Sequence, residues 1–313
     1  MTLQVGVIGA GLMGTTHVRV LATAVPTADV VAISDAVAER GEQLAREAGV
    51  DRVTTDALEL IHDPAVEAVV IASTADTHEP FVLACFEAGK PVLCEKPLAA
   101  TPAAARRVLE AEAALGRRLV QVGFMRRFDP AYAALKRELD EGRLGGPLLL
   151  HCAHRNASVP PTYTSDMLVT SSLTHEIDVI RWLTGEEIAT VTLRAPRSSS
   201  RANGLRDPQL AILETEGGVL VDVEVFANAG YGYDIRCEVV GEDGTLALPL
   251  SVASGFEERF EDAYRHELLA WVRALADGTE APGATAADGY AAAAVCEAGV
   301  RSLQEGRSIP VAC

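Results

Sequence analysis

The first part of the chain alternates short apolar runs with longer amphipathic stretches of helical period. Five apolar runs predict strands, at residues 3–9, 29–34, 66–72, 91–94 and 118–123. Helices are predicted from the turn after residue 9 to about 24, and over 36–48, 78–88 and 101–116, with a short connecting element at 54–61. Strands that alternate with helices predict an α/β domain, a doubly wound parallel sheet covered on both faces.

The second part has longer strand-like segments separated by polar turns. Strands are predicted at 147–154, 188–194, 211–213, 219–228, 236–241 and 245–249. Helices are predicted at 130–141, 174–183, 261–276 and 286–305. Strand after strand with few helices predicts an α+β domain with a large, mostly antiparallel sheet that leaves one face open. The pattern changes over 122–128, which predicts two domains, 1–121 and 122–313.

Composition narrows the class of protein. The 313 residues include 27 basic and 44 acidic side chains, a net charge of −17, and 49% are hydrophobic. This charge argues against binding nucleic acid or an anionic membrane, both of which need a concentrated basic patch. No apolar run reaches the roughly 18 residues of a membrane span, and the first residues show no secretory signal. We therefore expect a cytoplasmic protein that acts on a small molecule.

Cysteine and histidine spacing predicts no metal site. The six cysteines include no C-x-x-C, so we expect reduced, mostly buried thiols. His151 and His154 are three residues apart in a predicted strand, where a period of two places them on opposite faces. One strand cannot present both imidazoles to one ion.

A glycine-rich turn joins the first strand to the first helix. Residues 9–14 read GAGLMG, in the strand–turn–helix context that a dinucleotide fingerprint requires. Gly9 permits the tight turn, Gly11 lets a pyrophosphate approach the backbone, and Gly14 allows close packing of helix on strand. Leu12 and Met13 belong to the helix N-terminus, which supplies amide donors to the phosphates.

The second strand ends at Asp35, 35 − 14 = 21 residues after the last glycine of the fingerprint. A carboxylate at this position accepts hydrogen bonds from both hydroxyls of the adenosine ribose. The next residue is Ala36, so no adjacent arginine awaits a 2′-phosphate. The pattern predicts NAD rather than NADP as cofactor. The alternative is a Rossmann-like fold whose site is vestigial.

Several motifs together resemble the Gfo/Idh/MocA oxidoreductase family. The fourth strand runs into Cys94-Glu95-Lys96-Pro97. The motifs that narrow the resemblance to inositol 2-dehydrogenases lie at 120–132, 151–156, 175–183, 207–209 and 231–234. The resemblance covers essentially the whole chain. It implies a Rossmann domain at 1–121 that binds NAD, and a domain at 122–313 that binds substrate and forms oligomers.

The same resemblance implies the reaction and its catalytic residues. The reaction is oxidation of a secondary alcohol of a neutral cyclic polyol, closest to that of myo-inositol to 2-keto-myo-inositol. Lys96 lies at the carboxyl end of a parallel strand, where such sheets place ligands, and its ammonium can donate to the reacting oxygen. His175 removes the hydroxyl proton as hydride leaves the same carbon. The alternatives are a lysine in a solvated turn and a packed core histidine.

Further site residues are carried over from the inositol enzymes by position. The polyol contacts are Arg127, Asn156 and Tyr233. The cofactor contacts are Ser73, Thr74, His78, Glu95 and Lys96. Alternatives are a salt-bridged arginine at 127, a core tyrosine at 233 and a helix-start packing residue at 78.

One position departs from the family pattern. Inositol dehydrogenases have an aspartate four residues before the histidine, whereas this chain has Ser171. If the segment is helical, Ser171 shares a face with His175 and can approach its imidazole, but its neutral hydroxyl cannot stabilise an imidazolium as a carboxylate does. Ser171 is the predicted substrate contact at this position, although serine is too short and too weak an acceptor to replace the aspartate in binding a polyol hydroxyl. Three alternatives therefore stay open: a dehydrogenase of another inositol isomer, of a sugar or of an aminocyclitol. A fourth, from another class, is a non-catalytic NAD-sensing protein.

The predicted open face of the second sheet also bears on assembly. A large exposed apolar surface is seldom left on a soluble monomer. The resemblance implies a homo-oligomer, a dimer or a homotetramer, formed through the C-terminal sheet.

Overall fold

The computed structural model describes residues 2–312. The strands are β1 Leu3–Ile8, β2 Ala28–Ser34, β3 Arg52–Thr54, β4 Ala68–Ile71, β5 Val92–Glu95, β6 Val120–Gly123, β7 Pro147–Arg155, β8 Ile188–Arg194, β9 Gln209–Thr215, β10 Leu220–Phe226, β11 Tyr233–Gly241, β12 Thr245–Ala247, β13 Val252–Ala253 and β14 Ile309–Pro310. The helices are α1 Leu12–Ala24, α2 Ala38–Ala48, α3 Ala57–His62, α4 Ala75–Glu87, α5 Pro102–Leu115, α6 Pro130–Asp140, α7 Thr174–Thr184, α8 Phe256–Arg259, α9 Glu261–Asp277 and α10 Ala286–Glu305. A 3₁₀ turn spans Met125–Phe128, and a π-helical segment spans Leu168–Leu173.

The first sheet has six parallel strands in the order β3-β2-β1-β4-β5-β6. The order reverses between β1 and β4, and doubly wound sheets bind ligands outside the carboxyl ends of the strands at such a point. Strand β3 corrects the expected connecting element at 54–61, because the chain forms a strand at 52–54 and then helix α3. Three residues are too few to show a period of two in the sequence.

The second sheet has eight strands, with β12-β11-β7-β10-β9-β8-β14 in order and β13 paired to β11. Among the described strands of this second sheet, only β7 and β10 pair in parallel. Along β10, Val221, Val223 and Val225 are buried while the residues between them are partly exposed. The predicted fold class is confirmed: a Rossmann-like parallel sheet and a mixed, mostly antiparallel sheet.

The chain forms two compact units. One contains the residues up to Met125 together with Ala263–Tyr290, and the other contains Arg126–Asp262 and the residues from Ala291 onward. Trp271 of α9 is fully buried in the core of the first unit. A single boundary near residue 122 does not anticipate this return of the chain. These compact units do not show which part binds cofactor and which binds substrate. The division into a cofactor domain at 1–121 and a substrate domain at 122–313 therefore stays a prediction.

The cysteines Cys85, Cys94, Cys152, Cys237 and Cys296 are buried free thiols. Burial raises the pKa of Cys85 to about 12. The remaining cysteine, Cys313, lies outside the described residues. Across 2–312, no helix is both long and apolar enough to cross a membrane. In the same range, no three His, Cys, Asp or Glu side chains are grouped to hold a metal ion.

Candidate functional site

The turn after β1 contains two glycines that the surrounding backbone requires. Gly9 has a φ of +99°, which L side chains rarely adopt, and a Cβ there would lie 2.6 Å from the Ala72 carbonyl oxygen. A Cβ at Gly14 would overlap the carbonyl oxygen of Gly9. Helix α1 can therefore approach β1 this closely only because position 14 is glycine.

Gly11 leaves space at the start of helix α1. It is the N-cap residue without a side-chain cap, and no described atom beyond its chain neighbours lies within 4 Å of where its Cβ would be. Leu12 is 59% exposed, and Met13 is half-buried. The first amides of a helix lack partners within the helix and carry its positive dipole. This end of α1 therefore suits an anionic group such as a pyrophosphate.

A cavity of about 550 Å³ opens at the carboxyl ends of β1, β2 and β4. Of the predicted cofactor residues, its lining includes Gly9, Gly11, Asp35, Ser73 and Thr74. Its lining also includes Arg40, which no sequence pattern marks. The arginine sought in the sequence for binding a 2′-phosphate would directly follow Asp35, where this chain has Ala36. Arg40 lies instead in helix α2 and lines the cavity from there.

Asp35 joins the end of β2 to the glycine turn. Its Oδ2 accepts from the amide of Ala10 at 2.7 Å, and its Oδ1 accepts from the amide of Val37 at 2.8 Å. Each carboxylate oxygen has a second acceptor site, so both remain available to hydroxyl donors. The carboxylate thus orders the turn and can still bind a ribose.

The loop after β4 and the first turn of helix α4 contain three predicted cofactor residues. Ser73 Oγ lies 2.6 Å from Thr77 Oγ1, and Thr74 is the N-cap of α4. His78 is buried, with Nδ1 2.7 Å from the carbonyl oxygen of Pro97 and Nε2 3.1 Å from that of Ser73. His78 therefore connects this loop to the segment that carries Lys96. Its predicted cofactor contact stays a prediction.

Glu95 is buried and bound by the protein's own groups. Its Oε1 lies 2.8 Å from His17 Nε2, and its Oε2 accepts from the amide of Lys96 at 3.2 Å. Gly123 makes room for it, because a Cβ there would lie 3.2 Å from the carboxyl carbon of Glu95. The structure thus gives Glu95 a role in positioning the backbone of Lys96. His17 was not predicted, since a helical histidine 78 residues away carries no local signal.

In the second unit, His175 lies in the first turn of α7, directly after the π-helical segment. Its side chain is 7% exposed, and its ring centroid is 6.2 Å from that of His154. Ser171 belongs to the π-helical segment and is half-buried. The segment is helical, which is the condition for Ser171 and His175 to share a face, but a π-helical turn is wider than an α-helical one. Such π-helical turns often occur at functional sites.

A buried ion pair links Arg126 to Glu176, the residue after His175. His154 completes the cluster, with Nδ1 3.1 Å from Arg126 Nη2 and 3.0 Å from Glu176 Oε2. Burial on its own would raise the pKa of Glu176, but the charges of Arg126 and His154 lower it below the usual value. Burial also opposes the charge of Arg126, yet Glu176 raises the pKa of the guanidinium. The ion pair therefore stays charged at neutral pH and fixes the ring of His154.

The predicted polyol residues have different surroundings. Arg127 donates to Asp178 twice, from Nε at 3.0 Å and from Nη2 at 2.6 Å, so it is salt-bridged but largely buried. Tyr233 is buried, its ring meets that of His154 edge-on at 5.8 Å, and burial raises its pKa to about 12. Asn156 is half-buried just after β7. The polyol contacts of all three stay predictions.

Replacing Glu176 with glutamine is expected to destabilise the fold by about 3–5 kcal/mol, since Arg126 would keep an uncompensated buried charge. Because folding lowers the pKa of Glu176, the wild type also loses this contribution as the pH falls below the usual carboxyl range. Urea unfolding monitored by circular dichroism measures both effects. Glu138→Gln, which removes a partly exposed partner of Arg143, is the control and should change stability little. Equal losses in the two variants would contradict the assigned role of the buried pair.

Comparison with known proteins covers nearly the whole chain. Residues 3–124 match the family model described as an oxidoreductase family with an NAD-binding Rossmann fold. Residues 132–247 match the Gfo/Idh/MocA C-terminal domain, and residues 251–312 match the C-terminal α/β domain of the oxidoreductase family.

Individual relatives are similar over their full length. Inositol 2-dehydrogenase 2 of Saccharopolyspora erythraea is 53% identical, over 99% of this chain and 96% of its own. Inositol 2-dehydrogenase of Streptomyces avermitilis is 48% identical, over 99% of this chain and 94% of its own. The crystal structure of myo-inositol dehydrogenase from Lactobacillus casei with NAD(H) and myo-inositol superimposes with a TM-score of 0.97 at 35% identity, covering 100% of this chain and 98% of that one.

Proposed function

The chain belongs to the Gfo/Idh/MocA oxidoreductase family, and we propose that it oxidises myo-inositol to 2-keto-myo-inositol with NAD as cofactor. The observation that carries the proposal is the likeness over the whole chain to an enzyme solved with NAD(H) and myo-inositol. Relatives that are about 50% identical in sequence and are named inositol 2-dehydrogenases support the same substrate.

The first unit offers the groups that a dinucleotide needs. The glycine turn and the uncapped start of α1 suit the pyrophosphate, Asp35 suits the adenosine ribose, and Ser73 and Thr74 line the same cavity. When bound, NAD supplies the hydride acceptor. With a net charge of −17, the protein as a whole opposes the anionic cofactor, so local amide dipoles have to hold its phosphates.

Lys96 and His175 are the proposed catalytic residues. The ammonium of Lys96 donates to the substrate oxygen and stabilises the negative charge that develops as its proton leaves. The imidazole of His175 takes that proton as general base. Glu95 positions Lys96 through its amide, and the Arg126–Glu176–His154 cluster borders His175.

Replacing Asp35 with alanine is expected to weaken NADH binding about 10- to 100-fold, because hydrogen bonds from the ribose to a charged carboxylate are lost. The amide of Ala10 also loses its acceptor, which loosens the glycine turn. Titration of NADH followed by its fluorescence gives the dissociation constant. Asp29→Ala, at the exposed opposite end of β2, is the control and should bind as the wild type does. Unchanged binding by the Asp35 variant would contradict its assignment to the ribose.

A homo-oligomer formed through the second sheet is part of the proposal, as a dimer or a homotetramer. The face of this sheet holds a depression of about 620 Å³. Leu210 and Leu250 in its lining are 40% and 75% exposed. Sedimentation velocity tests this assembly, because a charged residue in place of Leu210 should increase the fraction of protein that sediments as a monomer.

We also propose a cytoplasmic location, since all five described cysteines are free thiols, as is usual in reducing compartments.

Ser171 favours a second candidate, a dehydrogenase of another inositol isomer, a sugar or an aminocyclitol. The reason is that this chain lacks the negative charge of the aspartate that inositol dehydrogenases have at this position. Absorbance of reduced nicotinamide, followed with a panel of inositol isomers, aldoses and aminocyclitols, separates the candidates. We expect the highest kcat/KM on myo-inositol. Turnover of only a sugar or an aminocyclitol would overturn the assigned substrate, and NAD binding without any turnover would indicate a sensor.

A further inference from the structure

Helix α1 contains a buried histidine that contacts the residue before Lys96. His17, in the second turn of α1, is fully buried, and its Nε2 lies 2.8 Å from Oε1 of Glu95. Its ring also meets that of Tyr264 edge-on, with the ring centroids 6.0 Å apart. All of these residues belong to the first compact unit. Burial of an imidazole is unfavourable unless it is hydrogen-bonded, so the bond to Glu95 determines how the ring is held.

The direction of this hydrogen bond follows from the two groups that meet. As a carboxylate, Glu95 can only accept, so Nε2 of His17 carries the proton and donates it. The other oxygen of Glu95, Oε2, accepts from the amide of Lys96 at 3.2 Å. The carboxylate is therefore held between two donors, one from helix α1 and one from the backbone directly after β5.

The surroundings of Glu95 leave it little freedom to move away from these donors. Its side chain is buried at the end of β5. On the neighbouring strand β6, a Cβ at Gly123 would lie 3.2 Å from Oε1 and from the carboxyl carbon of Glu95. Since the carboxylate is packed this closely, loss of the donor from His17 changes how Glu95 holds the amide of Lys96.

We propose that His17 is a positioning residue that orients Lys96 through Glu95. Helix α1 starts directly after the glycine turn, so the same contact connects the turn proposed for the pyrophosphate to the lysine proposed for the reacting oxygen. The inference rests on the proposed function, since it takes Lys96 as the donor to the substrate oxygen. His17 itself takes no part in proton transfer, so its effect belongs in kcat and not in cofactor binding.

The first test removes the donor and then restores it. His17→Leu should lower kcat on myo-inositol about 10- to 100-fold, because a small displacement of a catalytic group is costly. His17→Gln retains an amide donor that reaches about as far as Nε2, and it should keep kcat within about threefold of the wild type. Initial rates give kcat, and fluorescence titration should give an NADH dissociation constant near the wild-type value for both variants.

The second test asks whether His17 acts through Lys96. In the Lys96→Ala background the donor to the substrate oxygen is already absent. There His17→Leu should lower the residual rate by less than about twofold, because two residues that act as one unit are not additive. A general packing defect would instead lower the rate by the same factor in both backgrounds.

Glu112→Leu is the matched control for a buried defect in the same compact unit. Oε1 of Glu112 accepts from the amides of Leu119 at 2.8 Å and Val120 at 2.7 Å. Leucine leaves both amides without this acceptor, so the melting temperature should fall. The value of kcat should stay unchanged, because Glu112 belongs to no proposed site.

Three results would overturn the inference: an unchanged kcat in His17→Leu, equal effects of this change in the two backgrounds, or a glutamine variant as slow as the leucine variant. If His17→Leu does not fold, His17→Gln and His17→Asn decide, since the shorter asparagine does not reach Glu95 and should alone lower kcat. A Lys96→Ala variant as fast as the wild type would overturn the proposed role of Lys96 and this inference together. A slow Lys96→Ala beside an unchanged His17→Leu overturns this inference alone.

Discussion

Replacing Lys96 with alanine is expected to lower kcat on myo-inositol by about a thousandfold, because the donor to the developing oxyanion is lost. The cavity at the glycine turn and Asp35 is untouched by this change, so NADH should still bind. Stopped-flow measurement of NADH formation gives kcat, and fluorescence titration gives the dissociation constant. An NAD-sensing protein would keep its binding and show no dependence on this lysine.

The other two lysines of the sequence, Lys90 and Lys136, provide controls for the loss of a positive charge. Lys90 donates to the carbonyl oxygen of Asp63, and Lys136 pairs with Asp140. Alanine at either position should leave kcat within about twofold, because neither lysine is a proposed site residue. If Lys96→Ala also kept its rate within tenfold, Lys96 would be the lysine of a solvated turn.

Replacing His175 with asparagine is expected to lower kcat by about 10²- to 10⁴-fold, the usual loss on removing a general base. The wild-type rate should fall at acid pH as the imidazole becomes protonated, and the variant should lose this dependence. A pH profile of kcat for both proteins measures this.

The matched control for His175 is the exposed His62 on helix α3, whose substitution by asparagine should change neither the rate nor its pH dependence. A His175→Asn variant with a near-wild-type profile would show that the proton leaves by another route. It would also favour the alternative of a packed core histidine.

The sequence predicts the parts of this protein in which short segments carry a physical period or a fixed spacing. The alternating strands and helices of the first sheet are of this kind. So are the glycines at 9 and 14, whose missing side chains make room for backbone. Asp35 is also predicted because it ends a strand at a set distance from the glycine turn.

What the sequence does not predict depends on contacts between distant segments. Arg126 and Glu176 are 50 residues apart, and His17 and Glu95 are 78 apart. A buried charge looks like any surface charge until the fold supplies its partner. The turn before His175 is π-helical, which α-helical periodicity does not indicate. The return of 263–290 to the first unit likewise follows from the burial of Trp271, not from a change in pattern.

Isotope transfer tests the proposed oxidation by following the hydride itself. The wild-type protein is incubated with NAD and myo-inositol that carries deuterium at C2, and both products are analysed by mass spectrometry. If hydride passes from C2 to NAD, we expect one deuterium in the reduced nicotinamide ring and none at that carbon of the 2-keto-myo-inositol. The rate should also be slower than with unlabelled substrate. Reduced nicotinamide without deuterium, or no reduction at all while NAD is bound, would contradict the proposed oxidation.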